Sequence, residues 1–241
     1  DGIRDTSVTG VQTCALPISG SAVTTGSFNT IIGTSNGSLI TTATDSVSIG
    51  YSVLNGGNNS YCVAIGNESL KQIVGNANTS IGASSFREAT SGALNVALGY
   101  EAGRLTSTSG NNVSCDNSVL LGALTKVNAT GQTNQIVIGY NAVGLGSNTT
   151  VIGNNSTILT ALSGSTIING TSINASAVLQ ADSTTKGFLP PRMTSTQRAA
   201  ISTPATGLVV YQTDATEGLY QYLSTGWAII GGSGGVTDGD K

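Results

Sequence analysis

Three basic residues, Lys71, Arg87 and Arg104, follow one another at intervals of 16 and 17 residues, with Glu68, Glu88 and Glu101 close by in the sequence. Such a set has three possible uses. A basic column can attract an anionic glycan, with Tyr51, Tyr100 and Tyr140 adding stacking surface. The same charges can neutralise one another as an ion-pair rim. Two carboxylates about 5–10 Å apart can cleave a glycosidic bond. Asp45, Glu68, Glu88, Glu101 and Asp116 are scattered along the chain, so no pair stands out for that chemistry.

Other chemistries are excluded by composition. The chain has 241 residues and no histidine. It therefore has no Ser-His-Asp triad, no Cys-His dyad and no His-ligated zinc. The three cysteines, Cys14, Cys62 and Cys115, lack the close spacing of a metal knuckle, and Cys62 and Cys115 are expected as free thiols. No metal and no cofactor is expected. A net charge of −3 does not suit nucleic acid, and no apolar run reaches the length of a membrane span. The N-x-S/T triplets at Asn67, Asn128 and Asn148 follow from a composition rich in Asn, Ser and Thr.

The elements that must position these residues come from a repeat. NVALG (95–99) recurs as NTIIG (29–33), SVSIG (46–50), CVAIG (62–66), NTSIG (78–82), SVLLG (118–122), QIVIG (135–139) and TTVIG (149–153). The closing glycines lie 17, 16, 16, 17, 23, 17 and 14 residues apart. A fixed period of this size marks a solenoid. Val47/Ile49, Val63/Ile65, Val96/Leu98, Val119/Leu121 and Ile136/Ile138 stand two apart, which puts each pair on one face of a strand. Ser48, Ala64, Ala97, Leu120 and Val137 face the other way. The Val/Ile pairs are expected to point inward, as the apolar column that carries the stability. A second apolar position falls four residues after the glycine, at Leu54, Leu70, Phe86 and Val143. The expected fold class is all-β: a parallel β-roll of about eight coils over residues 20–157, roughly 40 Å long at about 4.8 Å per coil. Low charge (9%) and exposed strand edges argue for association of copies.

In this register Lys71, Arg87 and Arg104 share one position, five residues after the glycine. The interval of 23 before Gly122 inserts about six residues, so the Thr106–Ser118 stretch is expected to leave the roll as a surface loop.

Four segments flank or follow the roll. Residues 1–19, DGIRDTSVTGVQTCALPIS, break the pattern and read like the in-frame translation of a short-read sequencing adapter, so they are set aside as non-native. The native N-terminus would then be missing. Residues 158–182 read as a transition that caps the solenoid. Residues 183–230 form a separate unit. In it Thr194 and Gln197 make a capping box for a helix over 195–201, followed by strands over 207–213, 219–223 and 227–230. Trp227 and Tyr220 are expected to fill its small core. The Gly-rich stretch 231–241 reads as linker.

NVALGYEAG (95–103) and IVIGYNAVGLGSNTTVIGN (136–154) resemble head repeats of trimeric autotransporter adhesins and, more closely, repeats of bacteriophage tail fibres. That resemblance covers roughly residues 27–157. It implies a left-handed β-roll with three chains side by side. Residues 183–230 resemble a module found near the C-termini of phage and bacterial tail-fibre-like proteins. Together these resemblances imply a non-enzymatic, homotrimeric structural and adhesive segment of a phage tail fibre, located in the virion. Its partner would be a host surface glycan or outer-membrane receptor, met by a flank carrying Lys71, Arg87 and Arg104. The alternatives are a bacterial surface adhesin head and, third, a glycan depolymerase.

Overall fold

The computed structural model describes residues 12–14, 24–38 and 41–231, and the expectations for the rest of 1–19 and for 232–241 lie outside them. The chain divides into two units, Asp1–Ala161 and Leu162–Lys241.

The first unit is a stack of two- and three-residue strands. In chain order they are β1 (Gln12–Cys14), β2 (Thr30–Ile32), β3 (Val47–Ile49), β4 (Val63–Ile65), β5 (Thr79–Ile81), β6 (Val96–Leu98), β7 (Cys115–Asp116), β8 (Val119–Leu121), β9 (Gln132–Thr133), β10 (Ile136–Ile138) and β11 (Thr150–Ile152). Nine of them form one parallel sheet in the order β1-β2-β3-β4-β5-β6-β8-β10-β11. All eight repeats supply a rung of this sheet, aligned residue for residue: Val63 opposite Val47, Thr79 opposite Val63, Val96 opposite Thr79. The six added residues do not disturb the register, because β6 pairs directly with β8, Ala97 opposite Leu120. On another side of the coils β7 pairs with β9, and single bridges join Val74 to Ser91 and Ser91 to Ser114. β1, inside the adapter-like stretch, pairs with β2 through Gln12 and Thr30. Ladder bonds are made by the main chain, so an open edge accepts a strand that lacks the repeat.

The facing of the strands differs from expectation. The middle residue is buried in the seven rungs β2 to β6, β8 and β10, as Ile31, Ser48, Ala64, Ser80, Ala97, Leu120 and Val137 show, while Val151 in β11 is half-buried. The flanking Val, Ile and Leu are half-buried or exposed: Ile32, Val96, Leu98 and Ile136 at 36–47%. The Val/Ile pairs therefore point outward. The reason is room. A coil of about 17 residues is narrow, and its interior is already filled from the opposite side by Val53, Leu54, Leu70, Ile73 and Phe86, all at 0–1% exposure. Beside these side chains the middle residue is small, Ser48, Ala64, Ser80 or Ala97, and the larger Ile31, Leu120 and Val137 fill coils nearer the two ends. Of the four residues expected at the second apolar position, Leu54, Leu70 and Phe86 are buried and Val143 is not.

Most polar interior groups are paired, within a coil or between coils, the buried Gln135 side-chain amide being an exception. Ser69 Oγ donates to Ser80 Oγ at 2.9 Å, and Ser48 Oγ donates to Asn36 Oδ1. The first residue of the pentapeptide works the same way. Asn95 Nδ2 donates to the Cys115 carbonyl at 2.8 Å, and Asn95 Oδ1 accepts the Ser118 amide at 2.9 Å. Asn78 Oδ1 accepts the Asn95 amide at 3.1 Å, and Asn29 Oδ1 accepts that of Ser46 at 3.1 Å. Buried amides thereby keep their partners where the chain turns into the strand.

Glycine ends the rung of each of the eight repeats because the coils stack backbone on backbone. A Cβ on Gly82, which sits at φ +137°, would lie 2.3 Å from the Gly99 carbonyl oxygen.

The second unit holds β12 (Thr166–Ile168), β13 (Leu179–Ala181), β14 (Arg192–Met193), α1 (Ser195–Ala199), β15 (Val209–Gln212), β16 (Gly218–Leu223) and β17 (Gly226–Ile229). β12 and β13 form a parallel pair of their own. With the nine they make about eleven parallel rungs, against the eight expected from the repeat. The other four strands form the sheet β14-β15-β16-β17, antiparallel except for β14 against β15. β14 was not foreseen; two residues are too short for an alternation to register. The capping box at α1 is complete, with both Thr194 and Gln197 side chains engaged.

Candidate functional site

The position five residues after the strand glycine lies on the rim of the coils. Three basic side chains reach it, and the nearby acidic ones come from the turn that starts two residues after the glycine. Glu68 and Glu101 adopt left-handed backbone there, at φ 56° and 53°. The turn amides are tied to the preceding coil, Glu68 N to Tyr51 O at 2.8 Å and Glu101 N to Ala83 O at 2.9 Å. Acidic and basic groups are thereby held at fixed heights along the stack.

The result is one continuous chain of ion pairs. Lys71 Nζ lies 2.5 Å from Glu68 Oε1, and Glu68 Oε2 lies 2.8 Å from Arg87 Nε. Arg87 Nη1 is 3.4 Å from Glu88 Oε1, which is 3.6 Å from Arg104 Nε. Arg104 Nη1 then meets Glu101 Oε1 at 2.5 Å. The six side chains are 14–31% exposed. The hydrogen bond from Lys71 and the neighbouring Arg87 hold the Glu68 carboxyl below its usual range. Glu101 in turn raises the Tyr100 phenol above its ordinary value. Charges cancel along this ladder, three against three, so it presents no net basic strip.

The expected loop begins beside the last rung of the ladder. Thr106 N donates to Gly110 O at 2.8 Å, and Asn112 N returns to Arg104 O at 3.0 Å. Residues 107–111 are exposed, whereas Thr106, Asn112 and Cys115 are buried. Ser107 Oγ donates to Asn128 O at 2.6 Å, which ties the loop to the following coil. Tyr51, Tyr100 and Tyr140 are 51–66% exposed, as expected for the position after the glycine.

Neither Cys62 nor Cys115 is poised for chemistry. Cys62 and Cys115 are buried free thiols. Burial raises both, Cys115 to about 12. Among the described residues no three His, Cys, Asp or Glu side chains gather as metal ligands. No helix among them is long and apolar enough to cross a membrane.

In the C-terminal sheet the expected aromatic core is not closed. Only Val210 and Gln212 are buried there, while Tyr220 and Trp227 are half-buried. The Arg198 guanidinium lies 4.1 Å from the centre of the Tyr220 ring and 5.3 Å from that of Trp227, and its Nε donates to Gln212 Oε1 at 2.9 Å. Tyr222 meets Trp227 edge to face at 5.2 Å. Four short strands and a five-residue helix are too little to enclose an indole, so a cation covers it instead.

What lies outside a single chain is the second feature. The outward columns of the solenoid, together with Tyr51, Tyr100, Tyr140 and Ile152, form an apolar face along the sheet. Monomeric proteins seldom leave a face of this extent to water.

Residues 167–238 match the family model of the phage tail-like trimerisation region. The match takes in most of β12 and everything from β13 to β17. It supports a structural, trimeric protein of phage tail-like type. No curated protein and no solved structure matches the chain.

Proposed function

We propose that the chain is a segment of a phage tail fibre, a homotrimer that forms part of the fibre body and contributes to attachment to the host cell. The observation that carries this reading is the match of residues 167–238 to a phage tail-like trimerisation region, in a chain whose other unit is a β-solenoid with an outward apolar face. Three copies packed on that face bury it. The virion is the location that follows, and a host surface glycan or outer-membrane receptor is the partner. Since the ladder neutralises Lys71, Arg87 and Arg104, the exposed 107–111 loop beside it is where this segment would make its contact.

The segment is read as non-enzymatic. Glu68, Glu88 and Glu101 each sit against a guanidinium or ammonium group. A depolymerase needs a carboxylic acid that stays protonated near neutral pH, and the shift of Glu68 runs the other way. The test is immunogold labelling with an antibody raised against residues 183–230. Gold on the tails of phage particles is expected. Gold confined to bacterial envelopes would replace this reading with the surface-adhesin one.

A further inference from the structure

We infer that residues 158–189 have their core between chains: they fold only against two other copies of this chain, whereas the solenoid coils carry a core of their own. The contrast is direct. In the coil of residues 51–66, Val53, Leu54, Cys62 and Ala64 are all at 0% exposure. From 158 to 189 no residue is buried. Ile158 is 100% exposed, Leu159 79%, Leu162 67%, Val178 77%, Leu179 60% and Phe188 79%.

A flexible linker would look different in composition. Linkers stay open because they are polar or charged. Residues 158–181 contain no charged side chain and supply an isoleucine, leucine or valine every few positions. The secondary structure points the same way. β12 and β13 pair in parallel, Thr166 opposite Leu179 and Ile168 opposite Ala181, with no third strand in their sheet. A two-stranded sheet is marginal alone, and parallel sheets occur with both faces covered. Among the described residues of the single chain nothing buries this one. Uncharged copies can approach without repulsion, and the trimerisation match begins at residue 167, inside this segment. The occupant is therefore a second and third copy of the same segment. This inference rests on the trimeric reading above and adds to it the place where the chains cannot be separated without unfolding.

The experiment is hydrogen exchange on the purified full chain, with its mass measured by light scattering. The expected result is a trimer in which amides of 158–189 exchange at least about 100-fold more slowly than in free peptide. A second arm uses the double variant Ile158→Asp/Leu179→Asp. It should run as a monomer while the amides of β3 and β4 keep their protection. A trimer whose 158–189 amides exchange at free-peptide rates overturns this inference and leaves the trimeric reading standing, as does a double variant that stays trimeric. A monomeric wild-type chain overturns both.

Discussion

The Phe86 ring occupies the space where Gly103 would carry a side chain: a Cβ on Gly103 would lie 2.5 Å from Phe86 Cε1. The two residues are consecutive members of one column. Leu54 N donates to Ser69 O, Leu70 N to Ser85 O, Phe86 N to Ala102 O and Gly103 N to Thr125 O, so each coil hangs on the next at this corner. All four are in left-handed backbone, from φ 46° at Phe86 to φ 67° at Gly103. The largest side chain of the column stands beside its smallest member. Gly103→Ala should therefore cost on the order of 1–3 kcal/mol, from overpacking and from strain at positive φ. Phe86→Ala should cost about 3–5 kcal/mol. In the double variant the freed space accepts the new methyl group, and its loss should be smaller than the sum of the two single losses. Urea melts of the four species check this; strict additivity would mean that the contact is not made.

The facing of the rungs gives a paired test. Ala97→Leu puts three extra carbons into a filled coil and should lower stability by roughly 1–3 kcal/mol or more. Ile65→Asp places a charge on the outward face, where a single chain tolerates it. It should weaken association of copies while the solenoid still melts cooperatively. Thermal melts at low concentration and light scattering at high concentration separate the two effects.

Cys62→Ser should be mild, within about 1 kcal/mol, although Cys62 is fully buried. Cys62 stands at the repeat position of Ser46 and Ser118, where serine is already at home. Ser46 Oγ accepts the Cys62 amide at 3.1 Å, and Ser118 Oγ accepts that of Gln135 at 3.2 Å. Circular dichroism melts decide it.

Lys71, Arg87 and Arg104 can be tested together as Gln variants. If the ladder is a rim, melting falls and cell attachment per folded trimer is unchanged. If it is a contact strip, attachment is lost at constant melting. The pairing along the ladder favours the first outcome, with at most about 1 kcal/mol for each partly exposed pair.

The ladder also fixes the direction of a pH effect. Lysine and arginine partners hold Glu68 below its ordinary value in the fold. Its contribution is fully present above the unfolded carboxylate range and is lost as pH falls through the lower, folded value. Melting temperature should be flat from neutrality to about pH 5 and decline below that. Glu68→Gln should remove part of the decline.

Cys115 behaves in the opposite sense. Burial lifts its thiol from 9.0 to about 12, so the folded state favours the protonated form. That stability is whole below pH 9 and is lost as pH rises toward 12. At pH 8 a thiol reagent should leave Cys115 unmodified in the native chain and react with it once urea is added. Rapid native labelling would place Cys115 at the surface.

Much of the solenoid was legible because glycine marks its period. Where a Cβ would strike the next coil, as at Gly82, the residue type records the stacking distance. The facing of the strands was not legible from alternation, since Val63-Ala64-Ile65 alternates equally well in either orientation. Size was the available signal: Ser48, Ala64, Ser80 and Ala97 are too small to be outward anchors and small enough to fill a narrow coil. The alignment of Lys71, Arg87 and Arg104 followed from the same count. Glu68, Glu88 and Glu101 followed as the partner set, but which carboxylate meets which cation did not, because the route from Glu68 to both Lys71 and Arg87 depends on side-chain torsions. Nor did the role of Asn29, Asn78 and Asn95, although asparagine at the first position of three repeats was a readable sign of backbone capping. Unit two yielded its helix through the Thr194–Gln197 box, but its half-open aromatic cluster depends on there being too few elements to enclose it.

The direct pairing of β6 with β8 across a longer interval has a consequence for how such a chain changes over generations. Each coil meets its neighbours through the same backbone bonds, whatever its loop carries. A duplication or loss of one period in the gene therefore adds or removes a layer about 4.8 Å thick and leaves every other layer in register. Reach and surface decoration can vary independently: length by copy number, and the exposed loop by insertion at a single corner.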